Sequence, residues 1–382
     1  MQKTFVTTPK PWASAGWQLA RLAAVLAALA AVAQSHAGSL KTKNVFLIIS
    51  DGFRWQEVFQ GAEQQLMDKT NGGVRSLPLL QKQFWRDTPE ARREALLPFL
   101  WTEIAQRGQL FGNQNKGSVA KVTNGKNFSY PGYNETFSGF ADPRIASNDK
   151  KPNPNVTLFE WLQGRPGFKN RVAVLGSWDV FPYIVNQERS GVTVWPAWEA
   201  RFDGKTYTAP KAVLDFMRDS TPLWEELILD SLLFHAAIDF VQARKPRVCF
   251  VGFGETDEWA HEGRYDNYLS AAHHVDRFAK ALWDKVQAIP QYRGKTTFIL
   301  TADHGRGAGS EGWKVHGEKT QGSEAIWVGI LGPDTPPLGE RSQSAPITQS
   351  QIAATMAAFL GEDFRAAVPQ AAAPIAEAFR RE

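Results

Sequence analysis

The stretch "RVCFVGFGETDEWAHEGR", residues 247–264, decides how this chain is expected to fold. Its apolar run at 248–253 is rich in Val and Phe, which is typical of a strand buried on both faces of a parallel sheet. Directly after that run, Asp257 and His261 stand four residues apart. Because ligands of open α/β sheets bind beyond the carboxyl ends of the strands, this pair marks a candidate binding site.

Four more short apolar runs repeat this pattern along the chain. They are "KNVFLIIS" (43–50), "RVAVLGS" (171–177), "TTFILTAD" (296–303) and "AIWVGILG" (325–332). Longer segments with helical periodicity lie between or beyond them, at 96–108, 222–245, 267–289 and 349–360. Because strands and helices alternate, the sequence predicts a doubly wound α/β fold with a mostly parallel sheet and helices on both faces.

The first 37 residues differ in composition from the rest. Basic residues precede a Leu/Ala-rich run at 22–33, and Ser35 and Ala37 follow it with the spacing of a cleavage site. This pattern predicts a secretory signal peptide over 1–37 and a periplasmic or secreted protein. An uncleaved membrane anchor is the alternative, but the apolar run is short for a bilayer span. Cleavage is expected near Ala37, with Ala33 as a second option.

The remaining residues, 38–382, are predicted to form one domain with two insertions. Residues 61–95 are polar and charged, and residues 187–221 are rich in Trp, Pro and Gly. Both interrupt the alternation of strands and helices, so either could form a substrate wall or a lid. The Ala/Pro-rich segment 362–382 is expected to be a loosely packed tail.

Charge and cysteine content exclude several classes of protein. Without residues 1–37 the chain keeps 40 Lys and Arg (43 − 3) against 39 Asp and Glu, so nucleic acid binding is not expected. No later window is apolar enough to predict a transmembrane anchor. Cys249 is the single cysteine, which excludes an intramolecular disulfide. The oligomeric state stays unknown from the sequence.

Acidic and histidine side chains follow several of the predicted strands or precede the last one. Six of them are expected at one rim of the sheet: Asp51, Asp257, His261, Asp303, His304 and His316. Taken singly, each has an ordinary explanation as a helix cap or a turn residue. Together they offer the carboxylate and imidazole ligands that suit Zn²⁺, with Mn²⁺ as the alternative. Three ligands can hold one catalytic ion, and six can hold two.

The segment "NGKNFSYPGYNETFSGFADPR", 124–144, offers hydroxyl groups for nucleophilic catalysis. Two divalent ions beside a hydroxyl suit hydrolysis at phosphorus or sulfur. Pro131 favours an early helical position, so the Ser129 hydroxyl is expected near the amides of a helix N-terminus. Ser129 is therefore the predicted nucleophile, Thr136 is the alternative, and a helix cap is the structural explanation for Ser129.

The order of "SDGFRW", the Ser-x-Pro segment, "TDEWAHEGR", "TADHGRG" and "KVHGEKTQG" resembles the alkaline phosphatase superfamily. Within it, the chain looks most like the type I phosphodiesterase and nucleotide pyrophosphatase branch, from about residue 44 to residue 332. The resemblance implies two metal sites. One would comprise Asp51, Asp303, His304 and the Ser129 oxygen, and the other Asp257, His261 and His316.

The activity implied by the resemblance is that of an exported two-metal hydrolase of phosphate esters, a phosphodiesterase or a phosphatase. A metal-bound Ser129 would attack in line and form a phosphoryl-enzyme, which water would then hydrolyse. The implied cofactors are two divalent metal ions, and the partner is a small-molecule phosphate ester. Arg54, Arg306 and Lys319 lie near the predicted ligands, but the sequence favours none of them as a phosphate contact.

Two departures from the family patterns narrow the substrate. The phosphodiesterase branch usually has Thr where Ser129 stands, and Asn-His where this chain has "PGYNE", which argues against a nucleotide substrate. Sulfatases that carry formylglycine show C/S-x-P-x-R, and Tyr133 stands here in place of the Arg. The open alternatives are a phosphoglycerate mutase-like enzyme, a phosphonate or sulfate ester-cleaving enzyme, and a non-catalytic metal-dependent envelope or carbohydrate-binding protein that uses Trp195 and Trp198.

Overall fold

In the computed structural model, the structure describes residues 1–4, 40–196 and 209–379. The chain divides into two units, Met1–Leu40 with Arg381–Glu382, and Lys41–Arg380. The described part of the first unit contains no helix or strand. The signal peptide predicted for 1–37 falls almost wholly outside the described residues, and so does Trp198.

Eleven strands lie in the described part of the second unit. They are Asn44–Ser50 (β1), Gln109–Phe111 (β2), Ala120–Lys121 (β3), Val172–Gly176 (β4), Thr193–Pro196 (β5), Val248–Phe253 (β6), Thr296–Thr301 (β7), Ala325–Ile326 (β8), Val328–Leu331 (β9), Gly339–Glu340 (β10) and Ile347–Thr348 (β11). Eight form one sheet in the order β10-β2-β9-β7-β1-β6-β4-β5, and β11-β3-β8 form a second. Neighbours in the large sheet are parallel except for the two pairs that involve β9.

Strand β1 lies in the middle of the large sheet, between β7 and β6. All seven of its residues are buried, as is typical of a central strand covered on both faces. It pairs in parallel with β6 on one side, Val45 opposite Val248, and with β7 on the other, Asn44 opposite Thr296. The three strands therefore end at the same edge of the sheet. The residues that follow each of them are brought together there, as the sequence predicts.

Helices surround the large sheet. They are Trp55–Gln60 (α1), Leu77–Phe84 (α2), Pro89–Leu96 (α3), Ala105–Arg107 (α4), Ser129–Ser138 (α5), Leu158–Gln163 (α6), Phe181–Ile184 (α7), Gln187–Ser190 (α8), Lys211–Asp219 (α9), Asp230–Arg244 (α10), Glu255–His261 (α11), Tyr265–Ala288 (α12), Gly309–Gly312 (α13) and Gln351–Phe359 (α14). A π-helical turn, Leu100–Ile104, leads into α4. The predicted mixed α/β class with a mostly parallel sheet is confirmed.

Three local expectations are wrong. The run 325–332 forms two strands in different sheets, β8 and the antiparallel β9, because the chain leaves one sheet at Trp327, whose indole donates to the Phe53 carbonyl. Helix α10 begins at residue 230 rather than 222, since Leu227 forms a bridge with Trp178. The segment after 362 is not loose, because Phe364 and other apolar side chains there are buried.

The region 187–221, expected as an insertion, contributes the edge strand β5 to the large sheet. Trp195 lies on that strand and is fully buried. The idea that Trp195 stacks on a sugar at the surface is therefore wrong, because its indole has no exposed face. The other predicted insertion, 61–95, carries α2 and α3.

Helix α5 packs directly on the end of β7 because Gly132 has no side chain. A Cβ atom at Gly132 would overlap the carbonyl oxygen of Asp303. We predict that Gly132→Ala lowers the free energy of unfolding by about 1–3 kcal/mol through overpacking. Urea denaturation measures this value.

The matched control for that test is Gly164→Ala, at the end of α6. A Cβ atom there would approach no atom closer than 3.6 Å. Its free energy of unfolding is expected to change by about 0.5 kcal/mol or less. Equal stability of the two variants would contradict the close packing of α5 on β7.

Candidate metal-dependent active site

Two groups of potential metal ligands lie at the carboxyl edge of β1, β6 and β7. Asp51, Asp303 and His304 form one group, and Asp257, His261 and His316 form the other. In each group the ligand atoms lie within 4.8 Å of one another. The structure thus brings together all six side chains that the sequence selects, and it divides them as the family resemblance implies.

The first group is buried and leaves two carboxylate oxygens without a partner. Asp51 Oδ2 accepts from the Tyr133 hydroxyl at 3.1 Å, and Asp303 Oδ1 accepts from the Gly52 amide at 3.0 Å. Asp51 Oδ1 and Asp303 Oδ2 receive no hydrogen bond from the described residues. Both lie near His304 Nε2, at 3.3 and 3.5 Å. Buried unpaired oxygens are costly, so this arrangement fits a bound cation.

Two histidines are oriented by backbone carbonyls. His304 Nδ1 lies 2.9 Å from the Gly305 carbonyl oxygen, and His316 Nδ1 lies 3.1 Å from that of Asn127. Because a carbonyl only accepts, each Nδ1 carries the hydrogen and each Nε2 keeps its lone pair for a metal. Burial and the neighbouring His304 lower the pKa of His316 to about 2, which keeps its ring neutral.

The second group depends on the spacing that α11 provides. Asp257 and His261 lie one turn apart, with His261 Nε2 at 3.0 Å from Asp257 Oδ2. His316 Nε2 lies 3.7 Å from Asp257 Oδ1 and 3.0 Å from His261 Nε2. Burial raises the pKa of Asp257, but the Arg306 guanidinium and a hydrogen bond from His261 are among the contacts that lower it by more, so the carboxyl is ionised. These donors also suit a divalent cation.

Arginines near the site have structural roles. Arg306 is buried, pairs with Asp257 and donates to the Trp313 carbonyl oxygen at 2.9 Å. Arg54 is buried as well and pairs with Glu57. Neither guanidinium lines the cleft beside Ser129. Arg306 therefore orients a ligand residue rather than a substrate.

Gly52 fits a position that no larger residue can occupy. Its φ of 58° lies in the left-handed region. A Cβ atom there would also overlap Asp257 Oδ1 and the Arg306 guanidinium. The "SDG" sequence after β1 is therefore explained by the crowding of three loops at the sheet edge.

Ser129 is the hydroxyl that faces the two groups. It is the first residue of α5, and its Oγ lies 3.5 Å from His304 Nε2. The Thr136 hydroxyl is buried and donates to the Gly132 carbonyl oxygen at 3.0 Å within the helix. The Ser138 hydroxyl donates likewise to the Asn134 carbonyl oxygen at 2.6 Å. Of these three hydroxyls, that of Ser129 is the one that lines the cleft.

The cleft beside Ser129 has a volume of about 210 Å³ and includes residues that the sequence analysis missed. These are Asn148, Trp178, Glu226, Leu227, Gly254 and Glu258. Burial, and then Asp257, raise the pKa of Glu258 to about 7. Tyr133, which departs from the formylglycine motif, donates its hydroxyl hydrogen to Asp51 Oδ2. Loop residues such as Trp178 carry no periodic or motif signal that could have identified them.

The three aspartates of the two groups strain one another electrostatically. Burial raises the pKa of Asp51 and of Asp303 well above the ordinary range. The Asp257 carboxylate raises the pKa of Asp51 further, and the Asp51 carboxylate raises the pKa of Asp303 further. Like charges in a low-dielectric pocket are unfavourable without a cation, so the donor set fits bound metal ions.

Comparison with known proteins agrees with this geometry. The family model described as Sulfatase matches residues 43–362. The chain therefore belongs to the sulfatase family, within the alkaline phosphatase superfamily of hydrolases, whose members use divalent metals. The superfamily predicted from the motifs is confirmed, and the finer placement in the type I phosphodiesterase branch stays a prediction. No curated protein sequence matches the chain.

Several solved structures share the fold. The lipoteichoic acid synthase LtaP from Listeria monocytogenes has a TM-score of 0.54 at 11% identity, covering 85% of this chain and 74% of its own. The alkaline phosphatase PafA has a TM-score of 0.53 at 10% identity, covering 90% and 100%. The structure of Ps i-CgsB has a TM-score of 0.50 at 15% identity, covering 84% and 72%. At these identities the likeness concerns the fold.

Among the helices in the described residues, none combines the length and hydropathy required to cross a membrane.

The raised carboxyl pKa values predict how pH affects the metal-free chain. A carboxyl with a raised pKa holds its proton when folded, at pH values where the unfolded chain has lost it. Each of these carboxyls therefore makes the folded, metal-free chain less stable as the pH rises. For Asp51 and Asp303 this loss begins above the ordinary pKa of 3.8. For Glu258 it extends from the ordinary pKa of 4.5 up to about pH 7. The depressed pKa of Asp257 acts oppositely, but only at lower pH.

We expect zinc to raise the melting temperature more at about pH 8 than at about pH 6, because the cation replaces these protons and relieves the repulsion. Thermal unfolding of the metal-free and zinc-loaded chains measures the shift. Asp51→Asn removes one repelling charge and one ligand, so it should reduce the pH dependence of that shift. A zinc-induced shift of equal size at both pH values would contradict the assignment.

Proposed function

We propose that this chain is an exported two-metal hydrolase of phosphate esters with Ser129 as its nucleophile. The observation that carries the proposal is the position of Ser129 Oγ, 3.5 Å from His304 Nε2, at the start of α5 and in the cleft that both ligand groups border. The predicted signal peptide over 1–37, followed by one hydrolase domain over 38–382, supports export to the periplasm or the medium.

Each group of three ligands would hold one divalent ion, for which zinc is the proposed metal. Asp51, Asp303 and His304 offer two unpaired oxygens and a free Nε2 beside the nucleophile. Asp257, His261 and His316 offer the second set. Bound divalent ions neutralise the charge of the ester and lower the pKa of a nearby hydroxyl.

The chain itself supplies the orientation of these groups. The Tyr133 hydroxyl and the Gly52 amide fix the carboxylates of the first group, and Arg306 fixes Asp257. In the first turn of α5 the Tyr130 amide donates to Asn148 Oδ1 at 3.0 Å, which fixes the start of the helix that carries Ser129. Because these contacts exist before the substrate arrives, little reorganisation is required during the reaction.

Phosphate is favoured over sulfate by charge and by the nucleophile. A phosphate monoester can carry two negative charges and a sulfate monoester one, so two divalent ions match phosphate better. Tyr133 also departs from the formylglycine pattern, which has Arg at that position, and the single cysteine, Cys249, is buried in β6. Sulfate ester hydrolysis is the second candidate, favoured by the match to the sulfatase family model.

Removal of the Ser129 hydroxyl tests the nucleophile. We expect Ser129→Ala to lower kcat/KM for the preferred chromogenic ester by at least about 1,000-fold, because the phosphoryl-enzyme cannot form. Thr136→Val removes the alternative hydroxyl at a buried position and should keep most of the activity. Mass spectrometry of the acid-quenched wild type should show covalent phosphate on Ser129.

The substrate is tested with chromogenic phosphate monoester, phosphate diester and sulfate ester in parallel, with zinc present. Preference for either phosphate ester supports the proposal and decides between phosphatase and phosphodiesterase. Preference for the sulfate ester would overturn it in favour of the second candidate. Full activity in Ser129→Ala would exclude the serine nucleophile.

Metal content provides a readout that does not depend on activity. Elemental analysis of the dialysed protein is expected to give two zinc ions per chain. His261→Ala and His304→Ala should each lose about one ion, because each removes a ligand from a different group. The control His235→Ala changes an exposed histidine on α10 and should keep both. One ion in the wild type, or no loss in the variants, would contradict the two-site arrangement.

A further inference from the structure

The wall of the cleft beyond the two ligand groups is acidic and aromatic. Glu226 and Glu258 line it together with Trp178, and the described residues that line the cleft include no lysine or arginine. Asp51 and Asp257 belong to the ligand groups, so bound cations would balance their charge. The two glutamates remain as the charges that meet the rest of the substrate.

This distribution of charge selects against an anionic alcohol. A second phosphate or a carboxylate on the substrate would face the carboxylates of Glu226 and Glu258 and would be repelled. Lys150 lies nearby, but it pairs with Asp179 at 2.7 Å, so its charge is compensated. A positively charged alcohol would be attracted to the same wall.

Trp178 and Glu226 are held side by side by the fold. The indole packs edge-on against Phe181 at 6.2 Å and lies 6.5 Å from the Tyr133 ring. Trp178 Nε1 lies 3.5 Å from Glu226 Oε2, and the Glu226 carbonyl oxygen accepts from the Asp179 amide at 3.0 Å. An indole face beside a carboxylate is a suitable binding surface for an ammonium group.

We propose that Trp178 and Glu226 bind the positively charged alcohol of the substrate, which is a phosphate ester of an amino or quaternary ammonium alcohol. This inference rests on the proposed function. The cleft volume of about 210 Å³ favours a small alcohol over a nucleoside, since sites for larger ligands run from about 300 Å³ upward.

The test compares esters that differ only in the positive charge. Phosphocholine is paired with its neutral analogue, in which tert-butyl replaces trimethylammonium, and the nitrophenyl diesters of the same two alcohols form a second pair. For the zinc-loaded full chain, we expect kcat/KM to favour the choline ester at least about fivefold. Glu226→Gln should reduce that preference severalfold, because it removes the negative charge that attracts the ammonium group.

The matched control is Glu225→Gln, which removes an exposed carboxylate one residue away that does not line the cleft. It should keep the full preference for the choline ester. Equal kcat/KM for the charged and neutral esters, or an unchanged preference in Glu226→Gln, would overturn this inference and leave the proposed function intact. Failure to hydrolyse any phosphate ester would overturn the proposed function and this inference with it.

Discussion

The crowding of three aspartates in one pocket is the constraint on which the rest of the site depends. Asp51, Asp257 and Asp303 follow three adjacent strands, so the sheet forces their carboxylates together. The surrounding structure answers that repulsion with one buried guanidinium, that of Arg306, which pairs with Asp257. Full compensation requires cations, and for this reason the fold and the proposed metal chemistry are parts of one electrostatic arrangement.

The sequence predicts the parts of this protein that obey simple periodicity. Apolar runs such as 43–50 indicate buried strands, and the position of a residue after a strand locates its side chain at the sheet edge. Strand direction is not encoded in this way, so the antiparallel β9 was missed. The wall residues Trp178 and Glu226 were missed because tertiary packing of loops, and no local pattern, brings them to the cleft.

Membership in the sulfatase family and the details of the nucleophile segment give complementary information. The family model covers most of the chain and defines its superfamily. The segment from Ser129 to Tyr133 departs from the formylglycine pattern at the position where that pattern has Arg. Here the Tyr133 hydroxyl donates a hydrogen bond to Asp51, so the residue at this position orients a candidate metal ligand. Shared architecture and local chemistry thus carry separate evidence about activity.

The contact between Gly132 and the Asp303 carbonyl has an evolutionary consequence. It joins the helix that carries Ser129, the proposed nucleophile, to the strand end that carries the first ligand group, so neither can shift without the other. The cleft wall formed by Trp178 and Glu226 lies on loops that take no part in this contact. Changes in these loops can therefore alter the wall of the cleft without disturbing the packing of α5 against the first ligand group.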